Sequence, residues 1–159
     1  MRQRILLAIK VIVYCFFVWL IQTSLITDLY LTDVQVNLIL VSLIVFASKL
    51  SMYEVVIASS FFTIAIASLI YDSQIYWFYP IVAVIAKLIN PDFIPDKFLI
   101  CILYTLTFTP LFELMSTSST PYLDRTMEAV LLNVATIIPI YIIINLVFAE
   151  SPDSGSGAK

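Results

Sequence analysis

Residues 75–89, IYWFYPIVAVIAKLI, lead into Asn90-Pro91-Asp92-Phe93-Ile94-Pro95-Asp96, after which residues 98–115 resume as FLICILYTLTFTPLFELM. Two prolines and three polar residues that disfavour helix stand together in the middle segment, so a helix must stop there and another begin after it. The flanks read as an apolar helical hairpin. Working outward, charges and prolines divide the rest of the chain the same way, into apolar stretches near 5–26, 34–48, 53–71 and 126–148. That makes six helix candidates. The second and fourth are short, which predicts either tilted partners that thin the bilayer locally or spans whose ends borrow flanking polar residues.

Composition agrees with this division. Of 159 residues, 62% are hydrophobic and only 19 are charged, 8 basic and 11 acidic; mean hydropathy is +1.04. A soluble domain does not look like this. Six spans of roughly 20 residues use most of residues 1–150, so the expected architecture is an all-α polytopic membrane protein, a compact bundle of six transmembrane helices. Residues 151–159 carry both glycines of the chain and read as a disordered polar tail or an expression remnant. The first apolar run has no small-residue cleavage site before the polar Thr27 to Asp33 stretch and reads as a retained span.

Several function classes fall away. With no histidine in the chain there is no imidazole metal site, Ser-His-Asp triad or histidine proton relay. A net charge of -3 supplies no basic field for nucleic acid. Cys15 and Cys101 lie inside apolar runs and read as buried, inert thiols. No phosphate loop, metal-ligand cluster or nucleophile with an orienting base is present in the sequence, so no cofactor is expected.

Orientation follows from Lys and Arg in short loops. With both termini cytoplasmic, Arg2, Arg4, Lys49, Lys87, Lys97 and Lys159 fall inside and only Arg125 outside, while Lys10 lies within snorkelling reach of the inner face.

Intramembrane polar groups are costly, and each needs a reason. Those within or at the ends of spans are Gln22, Asn37, Glu54, Asp72, Lys87, Glu113, Glu128, Asn133 and Asn145. Asp72 closes the third span, either as a cap on the outward hairpin or as a contact for a partner protein. Glu113, three residues after Pro110, takes an interfacial structural role or a proton or substrate role. For Asn133 and Asn145 the default is interhelical hydrogen bonding. Pro139 should kink the last span. Tyr71, Tyr76, Trp77, Phe78 and Tyr79 gather around the third loop as an interfacial aromatic belt, the alternative being a ligand cage. Without glycine in the spans, close helix approach must use Ala, Ser and Thr. In the third span Ser60, Ile64, Ser68 and Asp72 share one stripe and Ser59, Thr63 and Ala67 the adjacent one, which marks that helix as the expected centre of the bundle.

The order of these polar marks resembles that of the bacterial rod shape-determining protein family MreD, over nearly all of residues 1–150. Gln22-Thr23-Ser24-Leu25 followed by Asp33-Val34-Gln35-Val36-Asn37-Leu38 is similar to the family's Gln-Ser-Thr-Leu exit and Pro-Asp-Leu start of the second span, with Val36-Asn37 replacing Pro-Asp. Ser68-Leu69-Ile70-Tyr71-Asp72 is similar to Gly-Leu-Leu-x-Asp, with Ser68 in place of Gly. Leu131-Leu132-Asn133 with Pro139 and Tyr141 is similar to the Leu-Leu-Asn and Pro-x-Tyr pattern of the family's last span. The resemblance implies a non-enzymatic scaffold of the cell-wall elongation machinery in the bacterial plasma membrane, with an MreC-like single-span protein, MreB and wall synthases as partners. It also implies a fold like that of the substrate-binding subunits of energy-coupling-factor vitamin transporters, and a carrier of that type is the alternative function. An intramembrane lipid-modifying enzyme is the third reading and needs Asp72, Glu113 or Glu128 to share one cavity.

Overall fold

The computed structural model describes residues 2–26, 36–68, 74–89, 96–116 and 123–148. Asp72 and the 151–159 tail lie outside the described residues. Among the described residues the chain is all helical: α1 (Arg2–Leu20), α2 (Leu38–Lys49), α3 (Met52–Ala67), α4 (Phe78–Leu88), α5 (Lys97–Ser116) and α6 (Leu123–Phe148). A π-helical turn, Ile21–Ile26, extends α1, and a short 3-10 turn, Gln74–Trp77, precedes α4. Three helical segments, Gln3–Ser24, Lys97–Met115 and Leu123–Phe148, are long and apolar enough to cross a membrane, whereas α2, α3 and α4 are shorter apolar helices. The chain is thus a helical membrane protein.

Local chemistry fixes several helix ends. Asn37 caps α2, its Oδ1 accepting from Leu40 N at 2.9 Å. Ser51 and Glu54 stand at the spacing of a capping box at the start of α3, with the Ser51 hydroxyl donating to the Glu54 carboxylate. Asp96, directly after Pro95, accepts from Phe98 N at 2.9 Å and opens α5. Lys87 donates to the Leu50 carbonyl at 2.6 Å, satisfying an acceptor just beyond α2.

The centre of the bundle is α2. Ten of its 12 residues are buried, and α1, α3, α4, α5 and α6 all pack against it. This corrects the expectation that the third helix takes the centre. Along α3, Ser60 and Ser68 are exposed and Ile64 is 71% exposed, so that stripe faces the surroundings; only Ser59 of the adjacent stripe is buried. The physical reason lies in α2 itself. A helix that is apolar on every side can only be an interior helix or a lipid-bathed one, and the short α2 has five neighbours to cover it. Close approach uses small residues as expected: Ala47, Ala58, Ala83 and Ala86 are fully buried. Around them Phe46 packs edge-on against Tyr14 and Phe148, with ring centroids 5.1 and 5.6 Å away.

Candidate functional site: a polar collar at the start of the central helix

At 1.5 Å per residue, the 12 residues of α2 span only about 18 Å against a hydrocarbon core of about 30 Å. A helix of that length, if it stands inside a membrane bundle, has at least one end below the membrane surface. Unpaired helix-end amides at that depth are costly, because lipid offers them no partner.

Side chains from other helices supply the partners. Gln22, on the π-helical turn, accepts from Leu38 N at 2.7 Å through Oε1 and donates through Nε2 to the Val36 carbonyl at 3.0 Å. Asn133 of α6 accepts from Asn37 N at 2.8 Å, and its Nδ2 donates to Thr109 of α5 at 3.2 Å. The Asn37 side chain, besides capping Leu40, donates to the Tyr79 hydroxyl of α4 at 3.1 Å. One collar of hydrogen bonds thus joins α1, α2, α4, α5 and α6. Its members are deep: Asn133 is 2% exposed and Thr109 fully buried, and Asn133 lies ten residues into α6, about 15 Å from its first residue.

Of the positions marked in the sequence as structural or partner-contact candidates, namely Gln22, Asn37, Ser68, Asp72, Trp77, Tyr79, Asn133, Pro139 and Tyr141, the structure brings four together: Gln22, Asn37, Tyr79 and Asn133. Tyr79 is only 6% exposed, its ring 5.7 Å from that of Phe112. It belongs to the interior, which corrects its placement in an outward-facing aromatic belt. Trp77, by contrast, is 58% exposed and lies 5.4 Å from the Tyr76 ring. Ser68 ends α3, its hydroxyl donating to the Ala65 carbonyl at 2.7 Å. Pro139 is exposed inside α6. Tyr141 lies toward the other end of the bundle, edge-on to Phe98 at 5.3 Å and under the Lys49 ammonium at 4.2 Å. Asn145 is exposed, unlike Asn133. Thr109 escapes the sequence reading; the available signal was its position four residues after Thr105 on one stripe of α5, both fully buried.

The described charges are arranged by end. At the Tyr141 end are Lys49 and Lys87 in the last turns of α2 and α4 and Lys97 at the start of α5. Lys10 reaches the Val147 carbonyl there at 3.4 Å. At the opposite end Arg125 lies 3.9 Å from the largely buried Glu113 carboxylate. Among the described residues no group of three His, Cys, Asp or Glu side chains could hold a metal ion.

Comparison with known proteins gives no match to a family model, a curated protein or a solved structure. The chemistry of the collar therefore has to speak for itself. Its amides and hydroxyls are neutral, buried or half-buried, and directed at one another or at backbone groups. Such an arrangement locks helices in place; it presents no displaced proton and no nucleophile beside a base.

Proposed function

We propose that this chain is a non-enzymatic, six-span membrane scaffold of the bacterial plasma membrane. In this reading it serves cell-wall elongation in the manner of the MreD family, holding an MreC-like single-span protein and, through it, MreB and the wall synthases. The observation that carries the reading is the collar. Gln22 and Asn133 are marks of the MreD resemblance and Asn37 stands where that family has Asp; the three are more than a hundred residues apart at their extremes and meet in one hydrogen-bonded network. A scaffold needs its polar groups to fix helix positions, whereas a carrier of polar solutes needs them facing an open cavity. A groove between α1 and α6 has mostly apolar walls, with Lys10, Tyr14 and Thr136 the lining residues that carry a polar side-chain atom.

Orientation joins the proposal. The gathering of Lys10, Lys49, Lys87 and Lys97 at one end, with Arg125 at the other, supports a cytoplasmic location for the lysine end and for both termini.

The test is purification from native membranes in mild detergent. The expected outcome is recovery with a single-span, MreC-like protein, and weakening of that pair by Trp77→Asp on the exposed outer aromatic patch. Recovery instead with an ATPase module and a bound vitamin would replace the scaffold reading with the transporter alternative.

A further inference from the structure

Cys101, Thr105 and Thr109 follow one another at intervals of four residues on α5, and all three are fully buried. That spacing places them on a single stripe of the helix. At one end of the stripe Cys101 Sγ lies 3.2 Å from Ser48 Oγ of α2. At the other, Thr109 Oγ1 accepts from Asn133 Nδ2 of the collar at 3.2 Å. Thr105 stands between them, near the middle of Lys97–Ser116. Among the described residues its hydroxyl has no hydrogen-bond partner, and the Thr109 hydroxyl, already an acceptor, has no partner for its own proton.

Other threonines of the chain settle this need on their own helix. Thr63, Thr107 and Thr136 each donate to the carbonyl four residues back, at 2.7, 3.0 and 2.7 Å. None of those three is fully buried. Thr105 and Thr109 are enclosed and do not make this bond. A buried hydroxyl left unpaired is costly, and protein interiors pair such groups with other protein atoms or with ordered water.

Spacing and enclosure decide between them. Side chains four residues apart on a helix have Cβ atoms about 5–6 Å from each other. A single O–H···O bond of about 2.8 Å is too short for that gap, and two such bonds through one oxygen match it. Full burial of both residues leaves no opening for a solute or a lipid chain. A cation of the calcium or magnesium type would take roughly six oxygen ligands, far more than two hydroxyls supply.

We propose that Thr105 and Thr109 hold one buried water molecule, which accepts from the Thr109 hydroxyl and donates to Thr105 Oγ1. Two hydroxyls are the lower end of the roughly two to four partners that a buried water takes. The water carries the collar one turn further along α5, from Asn37 and Asn133 through Thr109 to Thr105. This inference rests on the geometry of α5 alone and stands whether or not the scaffold reading does.

The experiment compares the full chain with T105V and T105S, by unfolding in mixed micelles and by crystallography in a lipidic mesophase. Valine keeps the shape of threonine and takes one anchor from the water, so T105V should raise the unfolding equilibrium constant about fivefold to tenfold, the loss of one buried hydrogen bond. In the unaltered protein and in T105S, density for one water is expected at hydrogen-bonding distance from both side-chain oxygens, and in T105V that density should be gone. An unfolding constant that falls in T105V would overturn the site, because the valine would then have relieved an unpaired hydroxyl in a dry interior. A Thr105 hydroxyl found on the Cys101 carbonyl, with no density between the two threonines, would overturn it as well.

Discussion

Asn133 shows what one amide can do in a membrane domain. Its carbonyl oxygen satisfies the Asn37 amide and its NH₂ reaches Thr109, so Asn133→Leu strands a buried backbone donor and a buried hydroxyl together. Leaving a buried group unpaired costs about 1–3 kcal/mol, and a loss of that size is expected on unfolding in mixed micelles. Asn145→Leu, on an exposed position of the same helix, should change stability by less than about 0.5 kcal/mol. Tyr79→Phe takes the acceptor from the buried Asn37 Nδ2, and the same cost of about 1–3 kcal/mol is expected. Should Asn133→Leu prove neutral, the collar would not be holding the helices. The sequence singles out Asn37 and Asn133 because polar groups inside apolar runs always need a reason. Their pairing was not legible, since it spans 96 residues and depends on how the helices turn about their axes. Thr109 was harder still, because a threonine can satisfy itself on its own helix and so gives no alarm.

Helix number and rough extent were legible, because Lys, Asp and Pro punctuate an otherwise apolar chain: α6 spans Leu123–Phe148 where an apolar run at 126–148 predicts it. Which helix sits inside was not. Serine stripes drew attention to α3, yet a serine can face lipid at little cost by bonding back to its own helix, as Ser68 does to Ala65. The informative feature was the lack of any polar face on α2 between Asn37 and Lys49. Two substitutions on α3 separate the arrangements. Ser60→Leu, on the exposed stripe, should be tolerated within about 0.5 kcal/mol. Ser59→Leu adds bulk at a buried position and should cost about 1–3 kcal/mol through overpacking, read again as unfolding in mixed micelles. A reversal of that order would put α3 back at the centre.

For the whole molecule, the collar explains how helices too short to span the hydrocarbon alone can belong to a membrane bundle. A central helix may begin at depth when side chains from its neighbours complete its backbone hydrogen bonds, and irregular backbone is tolerated there only when protein covers it. We propose that α2, α3 and α4 cross the membrane together with the three long helices. Cysteine accessibility in intact cells tests this most directly. Single cysteines are placed at Thr32, Ser51, Ser73, Asp92, Ser119 and Ser154 in a chain whose Cys15 and Cys101 are replaced by Ala, and probed with a membrane-impermeant thiol reagent. The account expects strict alternation, with Thr32, Ser73 and Ser119 labelled from outside and Ser51, Asp92 and Ser154 protected until the membrane is opened. Labelling of Thr32 and Ser51 from the same side would contradict it, because α2 would then enter the membrane without crossing.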